Sequence, residues 1–156
     1  MSKSLVAFFS YSGTTERVAR RVADAAGADL FEIVAEQPYT AADVNWRDEN
    51  SRSTREGKDD SLRPAVAGTV ANMDQYSVIY LGFPVWWYRE PNICDTFLEA
   101  YDLNGKTVVP FCTSGGSTVA GCHATIAAAA PGATVLAGAT LNGASDAQIE
   151  ALVAQA

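Results

Sequence analysis

Leu5-Val6-Ala7-Phe8-Phe9-Ser10-Tyr11-Ser12-Gly13-Thr14-Thr15 is the stretch that decides the fold. Five consecutive apolar residues with no alternation read as a strand covered on both faces, as in a parallel sheet. The polar run after them contains one glycine and leads straight into a helix. Val18, Ala19, Val22, Ala23 and Ala26 recur at helical spacing, Arg17, Arg20, Arg21 and Asp24 fall on the opposite face, and Gly27 stands as the stop.

The same sequence of events recurs further along. Apolar runs at Val78–Leu81, Thr107–Phe111 and Thr134–Ala137, with a weaker one at Leu30–Val34, supply four more strands. Pro91 opens a helix with Ile93, Cys94, Phe97 and Leu98 on its apolar side, residues 117–130 form another stopped by Pro131-Gly132, and residues 145–156 form an amphipathic terminal helix. Alternation of this kind predicts right-handed crossovers and a three-layer α/β domain: a doubly wound, five-stranded parallel sheet over residues 1–156.

Composition narrows the function classes. With 156 residues, 48% of them hydrophobic, the chain can build one core without metals or disulfides. A net charge of −7, from 18 acidic and 11 basic residues, is the wrong footprint for a nucleic-acid binder. Cys94, Cys112 and Cys122 are odd in number and lack C-x-x-C spacing, so neither a disulfide framework nor a metal site is expected. The run Leu5–Phe9 is too short for a signal segment or a membrane span, and the expected location is cytoplasmic.

In a doubly wound sheet a ligand lies beyond the carboxyl ends of the strands, where strand order reverses. Three loops end there. In the first, Ser10, Ser12, Thr14 and Thr15 offer hydroxyls, Gly13 allows a tight turn, and the helix start offers amides, which together make a cradle for a phosphate. It has no lysine, so it is neither a Walker loop nor a dinucleotide fingerprint. The second loop contains Pro84-Val85-Trp86-Trp87-Tyr88; consecutive loop aromatics cannot all point inward, and an exposed cluster suits a planar ring. The third, Thr113-Ser114-Gly115-Gly116, allows close backbone approach to a heterocycle's polar edge. Each loop also has a purely structural reading, as a helix cap, a core aromatic or a turn; together they describe a flavin nucleotide.

At these motifs the chain resembles the flavodoxin family, and within it the short flavodoxin-like proteins with strand ends similar to Phe83-Pro84-Val85-Trp86-Trp87 and residues 110–117. The likeness runs from Leu5 to about Leu141. It implies strand order 2-1-3-4-5 and flavin mononucleotide (FMN) as cofactor. By it, Ser10, Ser12, Gly13, Thr14 and Thr15 hold the phosphate, Pro84 to Tyr88 flank the isoalloxazine, and Thr113 to Gly116 meet its polar edge. Electron-carrier flavodoxins have a tyrosine and acidic residues in the third loop, whereas this chain has Gly115 and Gly116 there.

Other chemistries find no support. A receiver domain needs acidic residues where Ser10, Tyr11 and Phe83 stand, no arginine lies six positions after Cys112 as a cysteine phosphatase requires, and G-x-S-x-G is absent. His123 reads as a surface or packing residue, and no catalytic residue is identifiable. Two classes remain. In the first, FMN serves an electron carrier that docks a redox partner protein through its acidic face. In the second, the chain is an NAD(P)H-dependent quinone, azo or nitro reductase acting on a small acceptor. A non-catalytic FMN-binding regulator is the weakest reading. Residues 36–64 lack apolar periodicity and form a long loop, either solvated and flexible or a lid over the site, since Tyr39, Trp46, Arg47, Arg52, Arg55, Lys58 and Arg63 lie in it.

Overall fold

Strand β1 (Lys3–Phe8) pairs on one side with β2 (Asp29–Glu32) and on the other with β5 (Tyr76–Pro84). The computed structural model, which describes residues 3–114 and 117–156, continues the sheet through β6 (Thr107–Thr113) to β7 (Thr134–Val135), every pairing parallel. The order β2-β1-β5-β6-β7 is the 2-1-3-4-5 arrangement that the family resemblance implies. Ala7 sits between Phe31 and Leu81, so the first strand is interior to the sheet, and it is apolar and buried from Leu5 to Phe8.

The continuous apolar runs are explained by the two cores. Leu5, Ala7, Ile79, Leu81, Phe83 and Val108 face one side, packed under Ile93, Phe97 and Leu98 of α3 (Asn92–Glu99) and Ile126 of α4 (His123–Ala129). Val6, Phe8, Tyr80, Val109 and Phe111 face the other, against Val18 and Val22 of α1 (Thr14–Ala26) and Ile149 and Leu152 of α5 (Asp146–Val153). Period-two alternation thus feeds two cores at once, each fully buried Leu, Ile or Phe adding about 1.5–3 kcal/mol.

The last strand departs from expectation. Instead of one run at 134–137, β7 is followed by a break and then β8 (Ala139–Thr140), which also pairs with β6. The carbonyls of Lys106, Val108 and Cys112 point toward this edge, accepting from Thr134, Leu136 and Leu141. Pro110 shares their orientation and has no N–H to offer, so the ladder lapses beside it. Gly138 crosses the gap at φ 69°, where an added Cβ would lie 1.9 Å from the Pro110 carbonyl oxygen.

Residues 117–130 also differ from the single helix expected, since a 3₁₀ turn (Val119–Cys122) precedes α4. Within residues 36–64 the structure places α2 (Arg52–Lys58), capped by Ser51, whose hydroxyl accepts from the Thr54 amide. Its buried residues are Ser53, Thr54 and Glu56, all polar. Glu56 receives Tyr39 Oη at 2.7 Å and Arg52 Nε at 3.1 Å, while the Arg52 guanidinium lies 3.8 Å from the Tyr39 ring centroid. A two-stranded antiparallel pair, β3 (Val34–Ala35) and β4 (Val66–Ala67), closes the ends of the segment. Among the described residues no helix is long and apolar enough to cross a membrane.

Candidate functional site

The chain leaves β1 for β2 on one side and returns to β5 on the other, so the loops after β1 and β5 diverge at the switch point. In the loop after β1, Gly13 adopts φ 91°, a conformation that favours glycine, and turns the chain into α1. Ser10 Oγ accepts from the amides of Gly13 at 3.1 Å and Glu16 at 3.2 Å, which shapes the loop from inside. No protein acceptor among the described residues reaches the Thr14 and Thr15 amides, the first of the helix. Ser12 and Thr14 are exposed, their hydroxyl oxygens 3.2 Å apart. Thr15 is buried and its hydroxyl lies 2.8 Å from that of Thr113 at the end of β6, tying the first loop to the third.

Arg17 also reaches this loop. Its Nη2 donates to Thr14 Oγ1 at 3.4 Å, which brings a guanidinium to a cradle that the sequence alone furnishes with hydroxyls and amides. The helix pattern assigns Arg17 to solvent, and so it is, but its guanidinium folds back toward the loop, with Nη1 3.7 Å from where a Cβ on Gly13 would stand.

The loop after β5 folds into a tight hairpin. Trp86 and Arg89 exchange backbone hydrogen bonds at 3.1 and 3.5 Å, and the two residues between them, Trp87 and Tyr88, sit at φ 55° and 70°. Such turns normally use Asn-Gly, because both central residues must adopt left-handed conformations; each non-glycine there stores about 1–3 kcal/mol of strain. Three anchors hold it. Trp86 packs edge-on against Phe9 and Tyr39, with ring centroids 5.4 and 5.3 Å away. Trp87 lies against Gly57 of α2. Arg89, itself buried, donates to Asp95, to the side chain of Asn92 and to the Glu56 and Glu90 carbonyls. Tyr88 is left outside, 76% exposed.

Val85, Trp86, Trp87 and Tyr88 line a cleft of about 250 Å³, together with Ser117 from the third loop and Val44, Trp46 and Ser53 from the long segment. None of the described residues that line it is charged. The Trp87 Nε1 and Ser53 Oγ atoms are buried in this wall without a hydrogen-bond partner among the described residues. In the third loop Thr113 is buried and its carbonyl accepts from the Val85 amide at 2.9 Å, while the Ser114 amide donates to Asn142 Oδ1 at 2.8 Å. Gly115 and Gly116 lie outside the described residues. Pro84 closes β5 opposite Thr113.

The remaining candidates for chemistry are occupied. Both ring nitrogens of His123 face backbone carbonyls, Nδ1 that of Ala120 and Nε2 those of Leu136 and Ala137. The three cysteines are buried, and burial pushes the thiol of each upward, that of Cys122 to about 12. None is a thiolate at neutral pH. Of the basic residues in the long segment, Arg63 pairs with Glu99 at 2.7 Å, Arg52 with Glu56, and Arg47 covers the Trp46 ring.

Sequence reasoning names Trp46 as part of a lid and Ser117 as the end of the third loop, but misses the contributions of Val44, Ser53 and Gly57 beside this cleft. Their contacts span the chain and have no local pattern, though the Ser51 cap signals a helix beside them.

Comparison with known proteins agrees with this geometry. The flavodoxin family model matches residues 3–156. A candidate flavoprotein from Bacteroides eggerthii shares 41% identity and superposes with a TM-score of 0.93 over 99% of this chain and 97% of its own. One from Bacteroides uniformis shares 41% identity at 0.92, over 98% of each chain. A flavoprotein from Lactobacillus acidophilus, solved in complex with FMN, shares 21% identity and the fold, with a TM-score of 0.71 over 97% of this chain and 99% of that one. No curated protein sequence matches significantly. A match across essentially the whole length, on a fold and a set of loops that independently describe it, establishes that this chain belongs to the flavodoxin family.

Proposed function

We propose that the protein binds FMN and acts as a redox protein through it. One observation carries this reading: the amides and hydroxyls that open α1 and the aromatic cleft beside Trp86–Tyr88 stand on one rim, at the sheet's switch point. The residues fit the cofactor. Thr14 and Thr15 present amides with no protein acceptor, Ser12 and Thr14 present exposed hydroxyls, and Arg17 adds positive charge, all suited to a phosphate dianion. The indoles and Val85 offer flat apolar walls to the isoalloxazine, and the third loop lies at the same cleft through Ser117.

When bound, the flavin supplies the electron chemistry, which no side chain here can replace. The protein's part is to hold the ring, to keep water from its faces with Trp86 and Trp87, and to set its environment. Electron transfer to a partner protein is the first reading, and the net charge of −7 suits electrostatic docking of a basic partner.

A specific observation favours the second, an NAD(P)H-dependent reductase of quinone, azo or nitro compounds. The described residues of the cleft walls are uncharged and rich in aromatic rings, which suits a planar neutral acceptor. Anaerobic addition of NADPH to the FMN-loaded protein separates the two. Rapid bleaching of the flavin band, reversed by a quinone with turnover, establishes the reductase. Absence of bleaching with NADPH, combined with rapid exchange with a reduced carrier protein, establishes the carrier. Failure of both, with FMN still bound, contradicts a redox role.

A further inference from the structure

Gly57 is the penultimate residue of α2, a helical position where glycine costs up to about 1 kcal/mol relative to alanine and where it serves no cap, the C-cap being Asp59. Its φ is not in the left-handed region, so backbone conformation does not call for glycine there. What does is Trp87: a Cβ built on Gly57 would lie 2.4 Å from Trp87 Cγ and 2.5 Å from Cδ1. The indole therefore rests directly on the helix backbone. Trp87 in turn lines the cleft from a turn position at φ 55°, where nothing in its own backbone preference keeps it.

We propose that Gly57 is a positioning residue for the ring site. By letting α2 approach the Trp87 indole at backbone distance, it fixes the indole as a wall of the cleft and makes residues 51–58 part of the cofactor site. This inference rests on the FMN reading above. The helix is itself held on the same structure it supports, since the Glu56 carbonyl accepts from Arg89 at 3.2 Å and the Asp59 carbonyl from Asn92 at 3.0 Å. The aromatic turn and α2 thus brace each other from both sides, the backbone through Arg89 and the ring through Trp87. Ser53, one turn before Gly57, lines the same cleft.

The test is a double-mutant cycle read by FMN titration, using the full chain and the variants Gly57→Ala, Trp87→Ala and the two combined. Alanine at position 57 removes no hydrogen bond and improves helix propensity, so its effect comes through the indole it displaces. Gly57→Ala is expected to weaken FMN binding about tenfold, the effect of a modest overpacking penalty, while far-UV circular dichroism stays unchanged. In the Trp87→Ala background the same change should have no further effect on affinity. Wild-type affinity in Gly57→Ala, or independent losses that multiply in the double variant, would overturn the proposal.

A fluorescence arm separates this failure from failure of the FMN reading. If the wild-type protein takes up no FMN, the cofactor reading falls. The support claim is then read from tryptophan emission, which should shift on Gly57→Ala in the wild-type background and stay put in the Trp87→Ala background. Equal shifts in both would overturn it.

Discussion

Thr15 Oγ1 and Thr113 Oγ1 meet at 2.8 Å with both side chains buried, the one at the start of α1 and the other at the end of β6. This bond sets the loop after β1 against the third loop. Thr15→Ala leaves the Thr113 hydroxyl buried without its partner and should lower stability by about 1–3 kcal/mol. Replacing both by valine keeps the shape and removes both polar groups, so the double variant should be more stable than the single one. Urea denaturation of the three proteins checks this; a double variant worse than the single would show that the bond is not the cause.

Arg17 and Arg20 provide a paired comparison. Arg17 reaches Thr14 at the cradle, whereas Arg20 is held by Glu16 at 2.8 Å on the exposed face. Arg17→Ala should weaken FMN binding several-fold, consistent with about 1 kcal/mol or more for a charge-assisted contact, and the loss should shrink as salt rises. Arg20→Ala should leave the affinity unchanged. FMN titrations at low and high ionic strength read both.

Arg89 is buried among four acceptors, and its removal strands the Asp95 carboxyl and opens the base of the aromatic turn. Arg89→Ala should destabilise the protein by about 1–3 kcal/mol or more, because it leaves buried acceptors without their donor. The denaturation midpoint measures it.

Asp95 titrates high, pushed up to about 8 by burial, then by its hydrogen bond with Glu90 and the negative charge there, against the pull of Arg89 and Arg63. An acid raised in the folded state keeps a proton that the unfolded chain has released, so the native state binds more protons between the two values. Stability should therefore fall as pH rises from about 4, the unfolded value, to about 8, and this contribution should level off above that. Asp95→Asn should flatten the slope while still accepting from Arg89. Urea midpoints from pH 5 to pH 9 give the comparison.

The sequence makes the doubly wound sheet legible because its strands are apolar on both faces, and α1 is legible because Val18, Ala19, Val22 and Ala23 repeat without interruption. The break in the last strand is harder to read: Pro110 signals a lost donor, but which side of β6 it faces depends on strand register. Helix α2 escapes a reading based on apolar periodicity because its buried face is Ser53, Thr54 and Glu56, satisfied by Tyr39 and Arg52 rather than by packing. The aromatic run at Trp86-Trp87-Tyr88 marks the site, yet the different tasks of its members become visible only when Gly57 and Phe9, far away in sequence, are brought beside them.

The most direct test of the account is a titration of FMN into the purified protein, followed by visible absorbance and gel filtration. The account predicts saturable uptake of one flavin per chain, a perturbed flavin spectrum and flavin that elutes with the protein. A flavin spectrum that stays that of the free compound, with none eluting with the protein, would contradict the cofactor assignment and leave the three loops as turns of a flavodoxin fold.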